Sequence, residues 1–60
     1  MTVREFIENR KLQELDLLII SWYRNDLFYE SLFTIEQALT FIPDKEVISI
    51  IFEDKIFIKD

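Results

Sequence analysis

Residues 16–29 read DLLIISWYRNDLFY, and this stretch decides the fold. The apolar run from Leu17 to Tyr23 contains β-branched and aromatic residues, which is typical of a strand with apolar side chains on both faces. Residues 24–26, RND, follow this run. They predict a turn because Asn and Asp tolerate the left-handed backbone conformation in place of glycine. Residues 27–32 return as a shorter partner strand, so the stretch predicts a β-hairpin.

A helix is predicted ahead of this hairpin. Thr2 followed by Glu5 is a capping-box pattern, in which each side chain accepts a hydrogen bond from the backbone amide of the other residue. Val3, Phe6 and Ile7 then fall on one helical face. We expect the helix to end near residues 10–12, where cationic side chains suit the negative end of the helix dipole.

The same order of elements recurs in the second half of the chain. Thr34 with Gln37 repeats the capping box, and Pro43 ends the second helix because a proline disfavours the helical conformation of the residue before it. Residues 46–52 and 56–58 give two further strands around a turn at residues 53–55. An apolar stripe marks the buried face of the second helix: Ile35, Ala38, Leu39 and Ile42.

The sequence therefore predicts a single α+β domain over residues 1–60, with pseudo-repeat halves 2–32 and 34–60 and the order α-β-β-α-β-β. We expect a four-stranded, mostly antiparallel sheet with both helices packed on one face. Shared ancestry of the halves and convergent patterning both remain open. Superposing the halves predicts six helix-facing core residues: Leu18, Ile20, Trp22, Ile48, Ile50 and Phe52.

Alternation along the strands sends a second apolar set to the sheet face that points away from the helices. Such a set is larger than a soluble monomer of 60 residues normally leaves exposed, so we interpret this face as an interface, for a homodimer or for a target protein. The alternatives are that loops cover the face, or that part of the inside and outside assignment is wrong. The predicted interface residues are Leu17, Ile19, Tyr23, Val47, Ile51 and Phe57.

The composition argues against catalysis. The chain has no His and no Cys, which removes the usual proton shuttle, thiolate chemistry and the commonest transition-metal ligands. It has no Gly, which phosphate-cradling loops need for close backbone approach. Short carboxylate clusters do not match a calcium loop, and we interpret them as turn and cap residues in place of Mg²⁺ or Ca²⁺ ligands. These clusters are Glu14 with Asp16, Asp44 with Glu46, and Glu53 with Asp54. We predict no enzymatic activity, no metal and no cofactor.

Charge and hydropathy bound the partners and the location. A formal net charge of −5 disfavours binding to phosphate backbones and favours a protein partner with a basic surface. No apolar run approaches the roughly 20 residues of a membrane span, and the N-terminus lacks the pattern of a signal peptide. The absence of Cys fits a reducing compartment, so we expect a cytoplasmic protein.

A second functional reading comes from the aromatic residues of the first hairpin. Aromatic side chains on a sheet stack the bases of single-stranded nucleic acid, provided that cations lie nearby. Arg24, Arg10 and Lys11 are the cations near this hairpin. Nucleic-acid binding is therefore the alternative to protein binding, through Trp22, Tyr23, Phe28 and Tyr29.

The opening residues MTVREFIE, at positions 1–8, resemble the start of short accessory proteins of bacteriophages and other mobile elements of low-GC Gram-positive bacteria. The high content of Ile, Phe, Glu, Asp and Lys is similar too. The resemblance implies a small protein that binds and redirects or inhibits a host factor, as anti-CRISPR and other anti-defence proteins do. It carries over no site residues.

Overall fold

The computed structural model describes residues 1–60, and its elements follow the predicted order. The two helices and four strands are α1 (Val3–Arg10), β1 (Leu17–Arg24), β2 (Leu27–Thr34), α2 (Ile35–Phe41), β3 (Val47–Phe52) and β4 (Lys55–Ile58). Neither helix is long and apolar enough to span a membrane.

Both helices begin at the predicted capping boxes. The amide of Glu5 donates to Thr2 Oγ1 at 3.2 Å, and the amide of Thr2 donates to Glu5 Oε1 at 2.8 Å. Thr34 and Gln37 repeat this exchange at the start of α2. Helix α1 ends at Arg10, because the next residue, Lys11, has a φ of 54° and turns the chain out of the helix. Local hydrogen bonds therefore set where each helix starts.

The sheet has the strand order β2-β1-β4-β3. The two outer pairs, β1 with β2 and β3 with β4, are antiparallel, and the central pair of β1 with β4 is parallel. The predicted α+β architecture is confirmed, with the refinement that the sheet is mixed. The turn between β1 and β2 uses Asn25 and Asp26, both at positive φ, as a two-residue hairpin turn of type I′ requires.

The core lies between the helices and one face of the sheet. Leu18 and Ile20 of β1 are fully buried, as predicted, and Trp22 is half-buried against the core. The central position of β4 adds Ile56 and Ile58, which lie outside the six core residues predicted from the two halves. The nine buried apolar residues are Val3, Phe6, Ile7, Leu18, Ile20, Ile35, Ala38, Ile56 and Ile58.

The predicted core contribution of the third strand is wrong. Ile48, Ile50 and Phe52 are 62%, 44% and 64% exposed, because β3 is an edge strand and β4 takes the central place beside β1. The register of β3 against β4 also shifts twice, between Val47 and Ser49 and again after Ile50. Each shift inserts one residue and breaks the simple alternation of faces.

Matched substitutions test this reassignment of the core. Ile56→Val removes one methylene from a fully buried site and should lower the free energy of unfolding by about 1 kcal/mol. Ile48→Val removes the same group from an exposed site and should change it by less than about 0.5 kcal/mol. Chemical denaturation of both variants measures the difference, and a larger loss at Ile48 would contradict this core.

Candidate functional site

The sheet face that points away from the helices carries side chains from all four strands. We call this surface the outer face. The strand register assigns to it Leu17, Ile19, Ser21, Tyr23, Phe28, Glu30, Leu32, Thr34, Ser49, Phe52, Lys55 and Phe57. No helix covers it, and five of its large apolar side chains are more than half exposed: Leu17, Tyr23, Phe28, Leu32 and Phe52.

Three aromatic rings from adjacent strands meet on the outer face. Tyr23 lies 5.4 Å from Phe28 and 5.5 Å from Phe57 between ring centroids, and Phe28 lies 6.3 Å from Phe57. We call these residues the aromatic cluster. Such ring pairs hold one another in fixed orientations, so the cluster presents a preformed apolar surface.

Aliphatic side chains occupy the other end of the outer face. Ile19 of β1 is opposite Leu32 of β2, and Leu17 lies two residues away on the same side of β1. Leu17 and Leu32 are exposed, and Ile19 is half-buried between its neighbours. We call these three residues the aliphatic group.

A polar network lies between the aromatic cluster and the aliphatic group. Ser21 Oγ donates to Glu30 Oε2 at 3.0 Å, and Lys55 Nζ lies 3.1 Å from the same oxygen. The network crosses three strands, from β2 over β1 to β4. Ser21 is only 1% exposed, although it belongs to the open face. Donation by Lys55 and then by Ser21 holds the pKa of Glu30 below its usual range.

The structure brings most of the predicted interface residues together. Leu17, Ile19, Tyr23 and Phe57 all lie on the outer face. The sequence interpretation did not assign Phe28, Leu32 or Phe52 to the interface, since it named Phe28 only for nucleic-acid binding and placed Phe52 in the core. The two-residue turn at Asn25 and Asp26 was the available signal for the first two, because it sets Phe28 opposite Tyr23 and Leu32 opposite Ile19.

Two predicted interface residues on β3 are placed differently. Val47 pairs with Ile58 and packs against the core, so its assignment to the outer face is corrected. Ile51 falls at the second register shift, has no partner residue on β4 and is 42% exposed. The cause is the pair of shifts in β3, which a strict alternation of side chains does not anticipate.

The aromatic residues of the first hairpin separate into two pairs. Trp22 and Tyr29 stack on the helix side, with ring centroids 5.7 Å apart, whereas Tyr23 and Phe28 lie on the outer face. Arg24, one of the three cations named for this hairpin, makes a bidentate contact with Asp60, at 3.0 Å from Nε and 2.8 Å from Nη2. Nucleic-acid binding stays a prediction, and each face offers it one aromatic pair of this hairpin.

A small cavity of about 110 Å³ opens on the helix side of the sheet, beyond the end of α2. Trp22, Phe33, Ile42 and Ile58 form its apolar lining, and Arg24, Lys45 and Asp60 add the charged groups. Arg24 holds the pKa of the Asp60 carboxyl below its usual range. The volume is well under the roughly 300 Å³ at which pockets for cofactors and small ligands begin.

Three of the six carboxylates in the predicted clusters make local contacts. Asp16 accepts the amide of Gln13, Glu46 binds the N-terminal amine at 2.9 Å, and Asp44 lies 3.9 Å from Arg4. No group of three or more His, Cys, Asp or Glu side chains is arranged to hold a metal ion.

No protein-family model, no curated protein and no solved structure matches the chain.

The pKa of Glu30 gives a direct test of the polar network. Lys55→Met removes the main cause of the lowered pKa, so the pKa of Glu30 should rise toward its usual value, as measured by NMR titration of the carboxyl carbon. Lys11→Met, far from the network on the helix layer, should leave it unchanged. Equal pKa values in both variants would contradict the network.

The same shift has a consequence for stability against pH. Because the folded pKa of Glu30 lies below the unfolded one, its carboxylate stabilises the fold above the unfolded pKa. This contribution is lost as the pH falls through the folded pKa. Lys55→Met should therefore make the free energy of unfolding depend less on pH between the folded and unfolded pKa of Glu30.

Proposed function

We propose that the protein is a non-enzymatic, acidic protein-binding module that forms a homodimer through the outer face. The observation that supports the proposal is the open sheet face, where the aromatic cluster and the aliphatic group lie exposed on neighbouring strands. Apolar patches of this kind on small proteins mark surfaces that another molecule covers.

The dimensions of the face suit a stable dimer. The Cα atoms extend over 32 × 21 × 19 Å, and a sheet of four strands, the longest of 8 residues, forms one layer of this body. Each partner in a standard protein interface contributes roughly 800 Å², which is a small share of the 4297 Å² of accessible surface on this chain. One chain therefore has room for an interface of ordinary size on this face.

Charge also favours a second copy as the occupant. The chain carries a net charge of −5, so two chains repel one another at most approaches. Within its strands the outer face carries just two charged side chains, Glu30 and Lys55, and they form an ion pair. Face-to-face contact is thus the approach at which the like charge of two copies matters least.

The dimer would leave the helix layer of each chain free. Most acidic side chains lie outside the outer face, including Glu8 of α1 and Glu36 of α2, and are exposed. A basic surface of a further partner would bind there, which agrees with the resemblance to accessory proteins that inhibit host factors. We accordingly propose a phage or mobile-element accessory role in the cytoplasm as the wider setting of the module.

One matched pair of variants tests the use of the outer face. Leu32→Lys places a charge on the outer face, and Phe41→Lys places the same charge at an exposed apolar site on α2. We expect Leu32→Lys to weaken self-association at least about tenfold, because the charge must lose water in the interface. Phe41→Lys should dimerise like the wild type in sedimentation equilibrium.

Other results would overturn the proposal. A wild-type chain that sediments as a folded monomer at high micromolar concentration removes the homodimer. Equal weakening of self-association by both variants would show that the dimer does not form through the outer face. Retardation of single-stranded DNA or RNA in a gel at low salt, abolished by Phe28→Ala, would instead support nucleic-acid binding.

A further inference from the structure

The polar network of the outer face is incompletely paired within one chain. Glu30 Oε2 accepts a hydrogen bond from Ser21 and forms an ion pair with Lys55 Nζ at 3.1 Å, whereas Oε1 of the same carboxylate accepts no hydrogen bond from the chain. Lys55 directs one of its three N–H groups to Glu30. Each chain therefore presents a spare anionic acceptor and two spare cationic donors.

These spare groups lie in the middle of the outer face. Glu30 is opposite Ser21 on β1, and Lys55 is opposite Ile19, so the pair runs diagonally across β1. The aromatic cluster lies toward one end of the strands and the aliphatic group toward the other. A surface that covers both apolar regions must also cover the ion pair.

Covering the pair removes water from its spare acceptor and donors, which is unfavourable unless the covering surface supplies partners for them. A basic surface would satisfy Glu30 but repel Lys55, and an acidic surface would do the reverse. A second copy of the chain supplies both kinds of group in equal number. The mixed charge of the site thus selects a second copy as its occupant.

We propose that two chains pack outer face to outer face about a two-fold axis that passes between Glu30 and Lys55. Lys55 of each copy then donates to Glu30 of the other copy, and the two ion pairs become one network of four charges. The inference rests on the proposed self-association and adds its register. Ser21 acts as a positioning residue, because its hydroxyl orients the carboxylate from within each chain.

Charge reversal tests this register. Glu30→Lys alone, or Lys55→Glu alone, sets like charges against each other at both contacts of a homodimer. Each variant should raise the Kd of self-association at least about tenfold. An equimolar mixture of the two variants restores opposite charges at both contacts and should form a mixed dimer with a Kd close to the wild-type value. Native mass spectrometry with one variant labelled with ¹⁵N measures the mixed species.

A matched control removes the effect of net charge. Glu8→Lys and Lys11→Glu change the net charge by the same amounts and signs, but on α1 and its cap, in the opposite layer of the molecule. Each control variant should dimerise like the wild type, and their mixture should show no preference for the mixed dimer. Circular dichroism and thermal unfolding verify that all four variants are folded.

A double variant keeps the ion pair inside each chain and so protects the test from a failure to fold. The chain carrying both Glu30→Lys and Lys55→Glu should dimerise with itself. It should not form mixed dimers with the wild type, because each cross contact then joins like charges.

The outcomes separate the two proposals. A monomeric wild type overturns self-association, and the register with it. The register alone is overturned by a wild-type dimer that tolerates both single reversals, by a mixture of the single variants that stays monomeric, or by a double variant that mixes freely with the wild type.

Discussion

The parallel pairing of β1 with β4 joins the two halves of the chain into one sheet, with Ile20 opposite Ile56 and Ser21 opposite Phe57. On the helix side this pairing brings Ile20 and Ile56 together in the centre of the core. On the outer face it sets Phe57 against Tyr23 and delivers Lys55 to a strand position from which it reaches Glu30. The core and the outer face therefore depend on the same contact between strands, and a change in its register would alter both.

The open face follows from the number of residues available to cover the sheet. The helices have 8 and 7 residues, which corresponds to lengths of roughly 10–12 Å, and both contribute to the same core. Ten of the 60 residues are buried, since a domain of this size has too much surface for its volume. The chain has no third helix for the second face. Apolar residues such as Leu32 and Phe28 stay exposed there because nothing within the chain can cover them.

The features that the sequence predicted correctly are those that depend on residues close together in the chain. Thr2 and Thr34 mark the starts of the helices because each forms a capping box with the residue three positions later. The alternation along β1 assigns Leu18 to the core and Tyr23 to the outer face. Whether a strand is central or at an edge depends on contacts far along the chain, and the apolar pattern of β3 resembles that of β1. The sequence therefore assigned Ile48 to the part of the core that Ile56 occupies. The register shifts that turn Val47 toward the core could not be seen in the alternation of apolar and polar residues.

The ion pair of Glu30 and Lys55 lies at the centre of an apolar face. Its contribution to stability alone does not explain this position. Replacing Glu30 and Lys55 by apolar residues would enlarge the apolar area, and a covered ion pair often stabilises a complex less than such residues do. Uniformly apolar faces, however, accept many partners in many orientations. The ion pair makes most of those orientations unfavourable, as a single polar residue does in a coiled coil. The edge strand β3 also disfavours unspecific contacts. The strand is uncharged and could pair with other chains, but the two register shifts interrupt it. In the proposed dimer, contact is thus limited at the edge of the sheet and directed to its outer face.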